Sequence, residues 1–203
     1  MKTTDSVNCT DFPCTDFARA SYLVPNVDIV PTLVIILLIS EASPENSAGH
    51  YYAGENSLFA RTTVLTFQEA GMKVASIKDI HSLGVYLTTA VKCAKTSDGI
   101  ATRTIQDCSN LLEKEIDLFP NVKVYLLMGD VAIKAAYSCA KRNGEARVIP
   151  TGSTYKIRGG EFFFRGRRAL PSYVQAGPAF FVEKVKRIMI AEDTRKAVEL
   201  VSG

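Results

Sequence analysis

Residues 32–40 read T-L-V-I-I-L-L-I-S, an unbroken apolar run with no polar alternation. A strand with one wet face alternates between apolar and polar side chains, whereas a strand covered on both faces does not. Residues 84–91 and 122–128 have the same character. Between and after these runs lie stretches of helical period: residues 56–70 closed by Gly71, residues 101–118 closed by Pro120, and Asp130–Arg142 closed by Asn143 and Gly144. Doubly covered strands alternating with helices predict an α/β fold, a three-layer α/β/α sandwich around a central, mostly parallel four-stranded sheet. Residues 145–168, punctuated by Gly152, Gly159, Gly160 and Gly166, read as short strands in a hairpin-like excursion that leads to a last strand or loop at 170–174. Pro178 then opens an amphipathic helix over residues 179–201 whose apolar stripe suits the sheet.

The run at 32–39 is far shorter than the roughly 18 residues that a membrane span needs. The opening M-K-T-T-D-S-V-N-C-T-D-F is polar and lacks an apolar signal core, which predicts a cytoplasmic protein with reduced thiols. No repeat or linker divides the 203 residues, so a single domain over 1–203, acting as a monomer, is expected. A net charge of +3 does not by itself mark a nucleic-acid binder. Its distribution is more informative, because Lys141, Arg142, Arg147, Lys156, Arg158, Arg165, Arg167 and Arg168 crowd into residues 141–168 against only Glu145 and Glu161. Tyr155 and Phe162 to Phe164 interleave with them, and a basic, aromatic strip of this kind suits either a phosphate backbone or a solvated face.

In an open α/β sheet, ligands sit beyond the carboxyl ends of the strands. Residues 41–54, 92–97 and 129–130 fall there, and the first of these, E-A-S-P-E-N-S-A-G-H-Y-Y-A-G, is rich in small, carboxylate and aromatic residues. Its isolated His50, like Glu45, is either an ordinary loop residue or a source of acid, base or hydrogen-bond donor. The other histidine, His81, precedes the second strand. Five cysteines in a reducing compartment are buried small hydrophobes, reactive thiols or metal ligands.

Taken together, I-S-E-A-S-P-E-N at 39–46 with Y-A-G at 52–54, L-T-T-A-V-K-C at 87–93, V-Y-L-L-M-G-D-V-A at 124–132 and L-P-S-Y at 170–173 resemble the motifs of the uracil-DNA glycosylase superfamily. The likeness is closest to its iron–sulfur branch, family four. The resemblance implies a DNA partner, no membrane, and a base flipped into a pocket and excised by hydrolysis of its N-glycosidic bond. It also implies a 4Fe-4S cluster on Cys9, Cys14, Cys93 and Cys108, with residues 1–25 as a cluster-binding segment, while Cys139 falls inside a helix as a core residue. Glu41 matches the motif carboxylate, and Ala42 follows it. Tyr52, or its neighbour Tyr51, matches the aromatic that stacks on the base. Thr89 stands where the family has a uracil-reading Asn, and Leu170 where it has a His; neither can make the hydrogen bonds of the residue it replaces. His50 is a candidate substitute in catalysis. Pro171, Ser172 and Tyr173 are candidates to touch the duplex, with Arg165, Arg167 and Arg168 on its phosphates. Loss of Asn and His implies an altered choice of base, or alternatively a catalytically impaired DNA- or nucleotide-binding protein. Outside the family, a flavodoxin-like or nucleotide-binding α/β protein would share the strand–helix rhythm.

Overall fold

The computed structural model describes residues 1–95 and 99–203, so Thr96 and Ser97 of the 92–97 segment lie outside the described residues. In chain order the elements are β1 (Phe17–Ala18), β2 (Ile36–Ala42), α1 (Leu58–Glu69), α2 (Ile77–Ser82), β3 (Val85–Val91), β4 (Ala94–Lys95), α3 (Thr102–Ile116), β5 (Val124–Met128), α4 (Asp130–Arg142), α5 (Thr154–Ile157), β6 (Phe162–Phe164), β7 (Arg167–Ser172) and α6 (Lys184–Ser202). The main sheet runs β3-β2-β5-β7-β6, and all its pairings are parallel except β6 with β7. Leu38 at its centre pairs with Leu87 on one side and Leu126 on the other, and Leu126 pairs with Leu170.

Side-chain alternation sends Leu37, Ile39, Tyr86, Tyr125 and Leu127 to the face covered by α3 and α4, and Ile36, Leu38, Leu87, Leu126 and Leu170 to the face covered by α1, α2 and α6. Every residue of β3 and β5 is buried. Each fully buried Leu or Ile of these strands contributes about 1.5–3 kcal/mol relative to an exposed one, which explains why apolar runs without alternation become the middle layer. Among the described residues no helix is long and apolar enough to cross a membrane.

The sheet has five strands rather than the expected four. The added β6 joins β7 through a two-residue turn in which Arg165 (φ 51°) and Gly166 (φ 70°) both take the left-handed conformation that matches hairpin twist. β2 starts at Ile36 because Pro31–Leu33 form a 3-10 turn ahead of it. The last helix is likewise split, with a 3-10 turn at Pro178–Phe181 before α6.

Candidate functional site

The parallel strands β2, β3, β5 and β7 end on one side of the molecule, at Ala42, Val91, Met128 and Ser172. Glu41, half-buried at the end of β2, turns its Oε1 toward the first turn of α4, where the Val131 N–H donates to it at 3.5 Å. Unpaired N–H groups at a helix start favour a carboxylate by about 0.3–1 kcal/mol. The approach depends on Gly129, whose φ of +97° few other residues adopt. A Cβ there would stand 2.6 Å from Glu41 Oε1 and 2.5 Å from Val174 Cγ2. The Gly129 N–H also donates to Ser172 O at 2.9 Å, which ties the end of β7 to the same turn.

The 43–54 loop is pinned across these strand ends. Ser43 donates from its N–H to Val91 O at 3.1 Å and from its Oγ to Lys92 O at 3.1 Å. The buried Tyr51 hydroxyl donates to Ser40 Oγ at 2.7 Å and accepts from Gln175 Nε2 at 2.9 Å, and burial pushes its pKa upward. Tyr52 closes the free edge of β3, where its hydroxyl donates to Leu87 O at 2.9 Å and accepts from Leu87 N at 3.1 Å. With that proton committed, His81 Nε2, 3.2 Å away, is the donor to the same oxygen. His50 is only 1% exposed and both its ring nitrogens lack hydrogen-bond partners. Burial, helped by the charge of Lys92, lowers its pKa from 6.5 to about 3, so the imidazole is neutral. His50 and Tyr52, ring centroids 5.8 Å apart, line a cavity of about 320 Å³ together with Asn26 and Ser47.

Glu41, Ala42 and Thr89 thus stand at the ends of β2 and β3, whereas the Tyr52 hydroxyl reaches Leu87, partway along β3, and His50 packs beside the Tyr52 ring. Thr89 is buried, its Oγ1 facing Ser43 Oγ at 3.5 Å. The other motif positions depart from their expected exposure. Leu170 is 1% exposed in the α6-side core, Pro171 is buried, and the buried Ser172 hydroxyl donates to Asp193 Oδ2 at 2.6 Å. As part of β7 these residues are not free to meet a duplex; Tyr173 lies under the Lys186 ammonium at 5.3 Å. Arg167 and Arg168 begin β7, and Arg168 sits opposite Val124, the first residue of β5. They therefore lie at the other end of the sheet from Glu41. Nor is the basic strip a continuous field, because Arg142 pairs with Glu113, Arg158 with Glu192 and Asp193, Arg165 with Glu113 and Asp117, and Arg168 with Glu161.

Cys9, Cys14, Cys93 and Cys108 line a second cavity, of about 310 Å³. All are free thiols. The C-x4-C spacing is accommodated by Phe12, whose φ of 43° folds the loop back while Arg19 Nη2 donates to Phe12 O at 3.0 Å and the Tyr22 ring packs edge-on against Phe12. The Lys92 N–H donates to Cys108 Sγ at 3.3 Å and Lys92 O accepts from Leu23 N at 2.7 Å, joining the N-terminal segment to the end of β3. Burial first, then mutual repulsion, raises the Cys93 thiol to about 12, and burial raises Cys108 to about 11. Metal binding there must displace those protons. Among the described residues no three His, Cys, Asp or Glu stand as a site for one metal ion. A cubane differs in taking one thiolate on each of four irons, and four thiols around one cavity fit that donor set. Cys139 is apart from them in the core, donating to Ser109 O at 3.4 Å.

Sequence reasoning missed Gln175 and Asn26, which belong to no motif, and Glu115, which lies buried in an ion pair with Lys92. The helical pattern of α3 marks Glu115 as one more charge on a helix, and only the strand facing it reveals its role. A Type-5 uracil-DNA glycosylase from Thermus thermophilus is 32% identical over 95 residues, which cover 47% of this chain and 41% of that protein. The chain thus spans less than half the length of the curated relative it matches. The family model described as the uracil DNA glycosylase superfamily matches residues 28–184, from ahead of β2 to the first residue of α6, and with all four parallel strands inside that span the chain belongs to this superfamily.

Proposed function

We propose that the protein is a DNA glycosylase that flips a deaminated base out of DNA and hydrolyses its N-glycosidic bond. The observation that carries this reading is the Glu41 carboxylate, held at the ends of the parallel strands by the start of α4 and the absent side chain of Gly129. In hydrolysis, water adds to C1′ as the C1′–N bond breaks. Glu41 orients the water and takes its proton, and the electron pair leaves with the base, which is then protonated. Cys9, Cys14, Cys93 and Cys108 would hold a 4Fe-4S cluster, which when bound supplies four Fe–S bonds tying the N-terminal segment to β3 and α3.

Base release from oligonucleotides carrying uracil, hypoxanthine, xanthine or an alkylated base tests the assignment. Glu41→Gln is expected to slow release by roughly 10²–10⁴-fold while DNA binding persists. Release at the wild-type rate removes Glu41 from the reaction. A second reading, a DNA-binding protein without excision, draws on the buried Leu170 and on Thr89, which leave two motif positions without their hydrogen bonds. A folded wild-type protein that binds DNA but releases none of these bases selects it.

A further inference from the structure

The cations crowded into residues 141–168 fall into two groups. Arg142, Arg158, Arg165 and Arg168 are held in ion pairs, whereas among the described residues no carboxylate pairs with Lys141, Arg147, Lys156 or Arg167. Lys141, in the last turn of α4, and Arg167, at the start of β7, lie at the far end of the sheet from Glu41. Arg147 and Lys156 lie nearer to it. The Arg158 Nε donates to Asp193 Oδ2 at 3.1 Å, the oxygen that also accepts from the Ser172 hydroxyl, and this ties α5 to the end of β7. Residues 147–157 also wall a cavity of about 160 Å³ against α4, lined by Asp130, Lys134, Tyr137, Arg147, Thr151 and Thr154. Asp130 is the neighbour of Val131, whose N–H donates to Glu41. The segment 147–157 is therefore the rim of the Glu41 site on the side of β7.

We propose that this rim seats the DNA strand flanking the extruded nucleotide, with phosphates on Arg147 and Lys156 and the Tyr155 ring packed on an adjacent sugar. This surface deepens the glycosylase reading and rests on its DNA partner. Three features fit it to a phosphodiester chain. First, Arg147 is pre-oriented: its Nε donates to Ile149 O at 2.9 Å and its guanidinium carbon stands 4.9 Å from the centre of the Tyr137 ring. Both Nη groups are left to grip one phosphate through two parallel hydrogen bonds. Second, Asp130, the one acid lining the cavity, is paired with Lys134, so the cavity keeps a net positive charge, and the Thr151 and Thr154 hydroxyls add donors for phosphate oxygens. Third, Tyr155 is 67% exposed beside Lys156, and a cation next to an open aromatic face suits a nucleic-acid strand better than an isolated anion.

Fluorescence anisotropy of a labelled duplex carrying one uracil, titrated with the full-length protein over a salt series, tests this surface. Each phosphate contact contributes about 0.9 to the slope of log affinity against log salt, so Arg147→Gln and Lys156→Gln are each expected to reduce the slope by about that amount. Arg147→Lys keeps the charge and should keep the slope, while binding more weakly than wild type because the paired grip is lost. Tyr155→Ala should weaken binding severalfold at an unchanged slope. Arg167→Gln, at the far end of the sheet, should match wild type. Arg147, Tyr155, Lys156 and Arg167 are all exposed, so these variants keep the fold. Wild-type slopes in both Arg147→Gln and Lys156→Gln overturn the proposal, as does an equal loss of slope in Arg167→Gln. Reduced slopes in a protein that releases no base from any oligonucleotide overturn the glycosylase reading alone. Base release combined with unchanged slopes in both variants overturns this surface alone.

Discussion

Glu41, at the end of β2, and His50, in the loop that follows, present opposite electrostatic problems. Glu41 is a carboxylate at the amino end of a helix, where its charge is welcome; His50 is an imidazole whose charged form the fold excludes. That exclusion has a measurable consequence. The unfolded chain binds a proton at His50 near pH 6.5, the folded chain only near 3, so between those values the unfolded state carries one more proton and stability falls as the pH falls. The slope approaches about 1.4 kcal/mol per pH unit. His81 is also lowered by burial and contributes in the same direction, but it is common to wild type and variant. Urea unfolding from pH 6 down to pH 4.5 should therefore show His50→Phe losing less stability than wild type, with the gap widening toward acid. Parallel pH profiles would mean that His50 is protonated in the folded state. At this scale the sequence was only partly legible: it marked the 41–54 segment that carries both residues, because small, acidic and aromatic types cluster there, though Glu41 and Ala42 still belong to β2. It did not reveal that His50 would be sealed from solvent, since burial depends on Leu23 to Asn26, which lie more than twenty residues earlier and carry no motif.

Among the elements, β3 and α3 depend most closely on one another. Lys92, just past the end of β3, folds its side chain back under the strand, where Nζ donates to Thr88 Oγ1 at 2.8 Å and Thr89 O at 2.6 Å and pairs with Glu115 of α3. Glu115 also accepts from the Tyr86 hydroxyl at 2.6 Å and from Thr88 Oγ1. Both members of the pair are buried, at 0% and 1% side-chain exposure, so removing one strands the other's charge in the core. Glu115→Leu alone is expected to cost about 3–5 kcal/mol in chemical unfolding, whereas Lys92→Met with Glu115→Leu should recover most of that loss. A double variant as unstable as the single one would show that the remaining polar groups of the network, and not the stranded ammonium, dominate. This pair explains how β3 carries two buried threonines without ceasing to be a central-layer strand. Thr88 of L-T-T-A-V-K-C is satisfied by the Glu115 carboxylate of α3 and the Thr89 hydroxyl faces Ser43 Oγ, and no local pattern records either. The helix α2, by contrast, was legible in principle: Ser76 and Asp79 form a capping box three residues apart, but the helix is too short for its period to stand out. A hairpin-like excursion was legible in residues 145–168, but not that Phe162–Phe164 would pair with Arg167–Ser172 as a fifth strand of the main sheet, because F-F-F has no alternation and an Arg-Gly turn is not a favoured hairpin signal.

At the scale of the whole molecule, residues 9–26 wall both cavities, the thiol-lined one through Cys9 and Cys14 and the His50 one through Leu23 to Asn26. The segment is fastened by the two-residue pairing of β1 with β4, the Leu23–Lys92 backbone bond, the Ser21 Oγ that accepts from Ala94 N at 2.7 Å, the Asp16 carboxylate that accepts from Ala101 N at 2.8 Å and from Thr104 Oγ1, and the burial of Phe17 and Val24 in the core. Cluster ligation at Cys9, Cys14, Cys93 and Cys108 would add covalent restraint to this segment, so loss of the cluster should loosen the wall of the His50 cavity as well as the thiol site. The cysteines separate this restraint from ordinary packing. Cys139 is 0% exposed, and Cys139→Ala leaves a hole in the core at a cost of about 1–2 kcal/mol whether or not iron is present. Cys93 is only half-buried, so in metal-free protein Cys93→Ala is expected to cost less than Cys139→Ala. In anaerobically purified protein with its iron intact the order should reverse, because Cys93→Ala then removes a ligand and with it the tie between β3 and the N-terminal segment. Thermal unfolding of both variants, with and without chelation of iron, gives the four melting temperatures required. If Cys139→Ala remains the more damaging under both conditions, the four thiols contribute packing and no cross-link.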